Sequence, residues 1–311
     1  MKLLFLGAGA TGGYFGGHLA KAGVDVTFLV RPRRRDQLAR DGIRIESATG
    51  SLATPVKAVT HDEITAPYDV IIVSAKAYDL AGAIEAVRPA VGAQSLVLPL
   101  LNGMKHLDAL DAAFGAPRVL GGTCHISVTL AENGIIRQLG ELASLTQGPR
   151  FSEQRTASAK LHETLARGIE AHHSDNIILA MWEKWFFLAA FASATCLMRA
   201  TVRDIVRAEH GATFTTSLLN ECIAIADANG YPPQAATVEF ARTFLTDPSS
   251  TLAASMLRDI QRGGAIEADQ IVGDIIRRGR QHGLATPLLD IAYLHLQSYE
   301  NQRAVAEAIH S

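Results

Sequence analysis

The chain has 311 residues, 48% of them hydrophobic and 19% charged, which describes an ordinary globular protein too long for one core, so two domains are expected. A formal net charge of −2 without a broad basic tract excludes nucleic acid as an expected partner, and any electropositive site must be local. Cys124, Cys196 and Cys222 are far apart and odd in number, which suits a reducing cytoplasm better than a disulfide framework or a zinc site. The longest uncharged apolar run, 185–198, has 14 residues, too few to span a bilayer, so it reads as a core helix and no membrane partner is expected. The N-terminal apolar run, five residues long, is also too short for a signal peptide.

That first run, Lys2-Leu3-Leu4-Phe5-Leu6, stops at Gly7-Ala8-Gly9-Ala10-Thr11-Gly12. A helix-compatible segment, 13–22, and a second strand, 24–30, follow. Strand, glycine turn, helix and strand form the unit that sets a dinucleotide pyrophosphate on a helix N-terminus. Gly7 permits the tight turn, Gly9 a close backbone approach to the phosphates, and Gly12 close packing of helix on strand. The second strand delivers Arg31 where an NAD-specific site would carry Asp or Glu, and an arginine fork there fits a 2′-phosphate. The cofactor expected is therefore NADP(H). Arg33, Arg34 and Arg35 read equally as further phosphate ligands or as a solvated helix start.

A short helix, 34–40, and strand-like pieces at 43–46 and 52–59 come next. Two continuous apolar strands follow, 68–75 ending in Lys76 and 95–101 ending in Asn102-Gly103. Polar residues at strand C-termini sit where open α/β sheets bind ligands. Lys76 reads as a ligand or as a surface lysine, and Asn102 as a cofactor or substrate contact or as a cap for the helix after it. Residues 118–122 read as the last parallel strand, and 128–130 with 135–139 as a hairpin around Glu132-Asn133-Gly134. A helix through Ala157, Leu161 and Leu165 and an extended piece at 168–171 close the first domain, 1–172. The adjacent His172-His173 lacks ligand spacing, so no metal site is expected.

The second domain, 173–311, reads as helical throughout. Its first helix, 176–198, carries Lys184 on a stripe with Leu188, Phe191 and Ala192 at i+4, i+7 and i+8. A lysine there either snorkels at a domain edge or sits in a cleft between the domains, where its pKa falls and it can donate a proton. Glu183 points about 100° away and is a poor partner for it. Helices at 212–228 and 235–245 follow, then one from Ser250 as far as Gly263-Gly264. Another begins near Ile266-Glu267-Ala268-Asp269, whose carboxylates suit a helix start, and the last spans 288–309.

In order along the chain stand the glycine turn with Arg31, Ala75-Lys76-Ala77, Leu101-Asn102-Gly103-Met104, Trp182-Glu183-Lys184, and Ser255-Met256-Leu257-Arg258-Asp259 with Glu267 twelve residues beyond Ser255. Together they resemble the ketopantoate reductase family (2-dehydropantoate 2-reductases) over essentially the whole chain. The resemblance implies an α/β fold, an N-terminal Rossmann domain followed by an all-helical C-terminal domain of the 6-phosphogluconate dehydrogenase type. It implies NADPH-dependent reduction of a small 2-oxo acid, ketopantoate to pantoate on the route to pantothenate and coenzyme A. Gly7, Ala8, Gly9, Ala10, Thr11, Gly12, Arg31, Lys76, Asn102 and Glu267 would then hold cofactor. Asn102 and Ser255 would hold substrate, with Ser255 on its carboxylate. Lys184 would donate the proton, and Glu267 would position Lys184 and the substrate hydroxyl. Helical domains of this type often pair, which allows a homodimer.

The chain departs from the family's N-x-x-x-N-P pattern after the lysine, with Leu188 and Ala192 in the asparagine positions, and Leu252 replaces a third asparagine. Two alternatives stand beside ketopantoate reduction. One is reduction of a more apolar 2-oxo acid on the same fold, and the other is a protein that senses NADP(H) without catalysis.

Overall fold

The structure, a computed structural model, describes residues 1–48 and 50–310, the side chains of Ile309 and His310 excepted. Two compact units compose it: Met1–Leu101 with His106–Ile178, and Asn102–Lys105 with Leu179–Ser311.

The first unit opens with β1 (Lys2–Leu6), α1 (Ala10–Lys21), β2 (Asp25–Leu29), α2 (Pro32–Asp41), β3 (Ile43–Ser47), β4 (Gly50–Thr54) and β5 (Lys57–Val59). It continues through β6 (Tyr68–Val73), α3 (Leu80–Val87), β7 (Val91–Pro99), α4 (Lys105–Phe114), β8 (Gly121–Leu130), β9 (Ile136–Gly148), α5 (Arg155–Leu165) and β10 (Glu170–His173). The first sheet is wholly parallel in the order β5-β2-β1-β6-β7, and Leu3, Phe5, Val70 and Ile72 are sealed within it. Apolar runs without alternation belong to such doubly covered strands. The second sheet runs β10-β9-β3-β4, with β8 antiparallel to β9. Helix α1 packs tightly against both: a Cβ on Gly16 would meet the Phe28 ring at 2.5 Å, and one on Gly17 would meet Ile43 at 2.6 Å.

Residues 118–122 do not form a last strand of the parallel sheet. Val119 makes a single parallel bridge to Val97, with Leu120 N–H bonding the Val97 carbonyl at 2.9 Å. The chain then leaves over Pro99, where a Cβ on Gly122 would stand 2.4 Å from the Pro99 carbonyl oxygen, and Gly121 begins β8 in the other sheet.

The second unit holds α6 (Ile177–Met198), α7 (Val202–Val206), α8 (Gly211–Ala228), α9 (Ala235–Leu245) and α10 (Ser255–Gln261). A π-helical turn, Asp269–Gly273, runs into α11 (Asp274–Gln281), and α12 (Pro287–His310) closes the chain. Its described residues thus bear out an all-helical unit that follows the Rossmann-type sheet in the chain. Helix α6 is the core helix, with Trp182, Trp185, Phe186, Ala189 and Ala190 buried and the two indoles 4.8 Å apart. Glu221 on α8 accepts from the amides of Leu288 and Leu289 at 3.0 Å each, a carboxylate on the positive end of α12. Glu183 accepts from the Gln234 amide at 2.8 Å, at the N-cap of α9.

The helix expected from Ser250 starts only at Ser255. The carbonyls of Ser250 and Leu252 are taken by the amides of Arg203 (2.8 Å) and Val202 (3.0 Å), which caps the first turn of α7 and keeps 250–254 out of the helix. Asp269, expected simply as a helix-start charge, is a hub instead. Its carboxylate accepts from Lys105 Nζ (2.5 Å), Arg277 Nη1 (2.7 Å) and Tyr293 OH (3.0 Å). Burial would raise its pKa, but the bonds from Arg277, Lys105 and Tyr293 outweigh that and pull it down to about 2.

A carboxylate depressed on folding adds stability above its unfolded pKa, and that stability is lost as pH falls through the folded value. The full shift corresponds to ~2.5 kcal/mol, but the side chain keeps 45% exposure, and screening leaves about 1 kcal/mol. In urea unfolding, Asp269→Asn should be less stable than the parent by about that amount at pH 7. The gap should close as pH drops from about 4 towards 2. A gap that does not change with pH would assign the loss to packing.

Candidate functional site

The glycine loop joins β1 to α1. Gly7 has φ +84°, and its amide bonds the Leu29 carbonyl at 2.8 Å, which ties the turn to β2. A Cβ on Gly9 would enter open space, so the backbone there is approachable. Gly12 lies inside α1, where a Cβ would stand 2.3 Å from Ser74 Oγ and 2.9 Å from the Gly7 carbonyl oxygen. Gly9 caps α1 without a side-chain bond, and the first turn, Ala10-Thr11-Gly12, carries no acidic residue. Amides at that end and the helix dipole suit a phosphate, so the residues present fit a dinucleotide.

Leu6, at the end of β1, is in register with Leu29 of β2 and Val73 of β6. Arg31 lies two residues beyond the first and Lys76 three beyond the second, so the loop, Arg31 and Lys76 share the sheet's C-terminal edge. Arg31 is exposed at the N-cap of α2, and Lys76 is half-buried at the N-cap of a short 3-10 turn.

The other arginines divide in a way their sequence does not show. Arg33 is exposed, and Arg35 pairs with Asp36 (3.2 Å) and Glu63 (2.5 Å). Arg34 is neither a solvated helix start nor an available phosphate ligand. It donates from Nη2 to the Ala8 carbonyl (2.9 Å), from Nη1 to Gln37 Oε1 (2.7 Å), and more weakly to the Gly134 carbonyl in the β8–β9 turn (3.3 Å). Burial lowers its pKa, Arg44 pushes the same way, and Asp41 opposes. Arg34 therefore braces the glycine loop from behind.

In the second unit, half-buried Lys184 donates from Nζ to Asn102 Oδ1 at 2.9 Å. The ammonium has only donors, so the amide oxygen must face it, and Asn102 then offers only N–H donors to a ligand. The oxygen that could have capped α4 thus serves the lysine. Asn102 is itself fixed. Its backbone carbonyl accepts from Gln270 Nε2 at 2.7 Å. Gly103 has φ +76°, and a Cβ there would stand 2.6 Å from the Gln270 carbonyl oxygen. The Lys105–Asp269 pair fastens the same segment one turn on.

Gln270 owes its aim to the π-helical turn, whose Ile271 carbonyl also accepts from Trp185 Nε1 at 2.9 Å, one residue from Lys184. Such widened turns are rare in helices and are frequent at functional sites. Glu267 stands just before the turn and is buried, not a solvated helix start. Ser255 is exposed at the first position of α10, and the amide of Ala254 before it bonds Thr195 Oγ1 on α6 at 3.3 Å. Lys184, Asn102 and Gln270 thus form one bonded chain, and the Lys105–Asp269 pair fastens the same two segments beside it. Glu267 adjoins it in the chain, and Ser255 is tied to α6 further along.

Sequence reasoning missed Arg34, Gln270 and Asp269. Gln270 carried no readable signal, since only the extra residue of the π turn directs it at Asn102. Arg34 lay in a run of four arginines within five residues, where spacing alone does not separate braces from ligands.

Residues 3–150 match the family described as Ketopantoate reductase PanE/ApbA, and 176–300 match Ketopantoate reductase PanE/ApbA C terminal. An uncharacterized oxidoreductase, YkpB of Bacillus subtilis (strain 168), is 34% identical over 305 residues, covering 97% of this chain and 100% of that protein. A crystal structure of a PanE/ApbA family ketopantoate reductase from Ralstonia eutropha JMP134 superposes with a TM-score of 0.87 at 26% identity, over 98% of this chain and 100% of that one. A D-mandelate dehydrogenase solved with NADH and anilino(oxo)acetate shares the fold with a TM-score of 0.87 at 22% identity, over 98% and 100% of the two chains. With both units matched, the chain belongs to the ketopantoate reductase family of oxidoreductases.

Proposed function

We propose that this protein is an NADPH-dependent reductase of 2-oxo acids, with Lys184 as proton donor. The observation that carries the reading is the 2.9 Å bond from Lys184 Nζ to Asn102 Oδ1, at a segment held by Gln270 and Gly103. A reduced nicotinamide dinucleotide, which the glycine loop and Arg31 would hold, would supply the hydride for the carbonyl carbon. Charge then grows on the carbonyl oxygen, where a cationic lysine both stabilises it and neutralises it by giving up a proton, which water restores. Asn102 keeps the ammonium aimed and turns its own N–H donors towards acceptor oxygens of cofactor or substrate. Glu267 positions Lys184 and the hydroxyl that forms, Ser255 holds the substrate carboxylate, and Lys76 contributes to the cofactor site. The product is a 2-hydroxy acid.

Arg31 gives the preference for the phosphorylated cofactor. It is the strand-end arginine that stays exposed while Arg34 and Arg35 are engaged within the fold. Family membership puts ketopantoate first among substrates, with pantoate as product in pantothenate and coenzyme A synthesis. A second reading, a more apolar 2-oxo acid, is favoured by Leu188, Ala192 and Leu252, none of which can bond a substrate hydroxyl.

Lys184→Ala should lower kcat on the best 2-oxo acid by ~10²–10⁴-fold while NADPH binding, followed by fluorescence titration, is retained. Near-normal turnover would remove Lys184 from the proton-donor role. Arg31→Ala should weaken NADPH binding by roughly tenfold or more, as befits a charged hydrogen bond, and leave NADH binding nearly unchanged. Equal weakening of both would place Arg31 away from the 2′-phosphate.

A further inference from the structure

Beyond Lys184, the stripe on α6 carries Leu188, Phe191 and Ala192 and ends at Thr195, the residue that ties down Ala254 beside Ser255. Of these, Leu188 is only half-buried, whereas Phe191, Ala192 and Thr195 belong to the core, so what the stripe presents one turn from the lysine is an alkyl side chain. On one flank stands an aromatic cluster shared with α9. The Phe187 and Phe191 rings stack at 5.8 Å and 12°, and Phe244 meets both edge-on at 5.0 and 5.2 Å. Phe240 completes the cluster at 5.9 Å from Phe187 and 6.1 Å from Phe244.

Two helices that merely packed together would bury these rings. Here Phe191 is buried, but Phe240 is 61% exposed and Phe187 and Phe244 are only half-buried. Contiguous exposed apolar surface marks a binding face. Phe187 and Leu188 lie one helical turn from Lys184, so the face is continuous with the reacting end. Rings also offer a rigid surface that favours an aryl or bulky branched guest over a hydroxylated one.

We propose that the substrate is a 2-oxo acid bearing an aryl or bulky branched apolar group, which lies over Leu188 against a wall made by Phe187, Phe240 and Phe244. This rests on the reductase reading above, takes its second, apolar branch in place of ketopantoate, and names the substrate class.

The test is NADPH oxidation by the purified full-length protein with benzoylformate, 2-oxoisocaproate, pyruvate and ketopantoate. The first two should exceed both others in kcat/KM by roughly tenfold or more, the scale on which a hydrophobic site discriminates. Phe240→Ala, at a largely exposed position, should cut the benzoylformate-to-pyruvate ratio by roughly tenfold, mostly through KM, and Phe240→Tyr should keep it. A thermal melt and size-exclusion profile matching the parent exclude misfolding or lost assembly as the cause.

Preferred turnover of ketopantoate, or a ratio unmoved by both Phe240→Ala and Phe187→Ala, overturns the substrate class and leaves the reductase reading standing. A change of oligomeric state in Phe240→Ala with kinetics intact makes the cluster a protein interface and also overturns it. Failure to reduce any of the four acids despite NADPH binding overturns both readings together.

Discussion

A lysine on an apolar helical stripe needs an acceptor, and the second unit is arranged around supplying one. A half-buried ammonium without a partner loses hydration and gains nothing in return. Asn102 meets the need only because three further constraints hold it: a bond from Gln270, a glycine whose missing Cβ admits the Gln270 carbonyl, and the Lys105–Asp269 pair. All three come from the π-helical turn or the residues it displaces. An α-helix through 269–273 would rotate Gln270 and the Ile271 carbonyl away from Asn102 and Trp185 together. The irregular turn therefore fixes the lysine's acceptor and the indole beside the lysine at once.

The glycine loop in the first unit solves a related problem with opposite signs. A phosphate site wants exposed amides and a mobile-looking glycine backbone, yet the loop must keep one shape. Arg34 reconciles these by bonding the Ala8 carbonyl from the side away from the amides, and it tethers the loop to Gln37 and the β8–β9 turn. Its charge is spent on carbonyl oxygens, so the positive potential at this edge of the sheet comes from the α1 terminus and the exposed Arg31. A chain of net charge −2 thus keeps a local positive end at the loop, where the cofactor phosphates are proposed to lie.

What was legible from sequence was what local pattern controls. The β1–α1–β2 unit, the doubly covered strands and the β8–β9 hairpin all follow from runs, glycines and turn signals close together in the chain. Residues 118–122 failed because Val119 is extended and apolar like a strand, while the glycines after it carry the chain to another sheet. Residues 250–254 failed because their carbonyls serve α7, some 50 residues earlier. The candidate site divides the same way. Asn102 and Lys184 stood out through their apolar surroundings, whereas Gln270, Asp269 and Arg34 gained their roles from partners 26 to 168 residues away.

Chemistry and selectivity are separable on α6, and their separation bears on what such a site can refuse. Around Lys184 the polar contacts are dense and mutually supported, as its proposed role of proton donor requires. One turn on, the amides of the family pattern give way to Leu188 and Ala192. A site built to bond a hydroxyl rejects an analogue lacking it by ~10⁴–10⁵-fold, because its own polar groups would be stranded, whereas an apolar wall discriminates by only ~10–200-fold. Replacing amides with alkyl groups therefore removes the stronger filter and leaves the weaker one. If the proposed substrate lies along Phe187, Phe240 and Phe244, the surviving filter measures bulk and apolarity, and it should admit a family of 2-oxo acids in graded order instead of one acid alone.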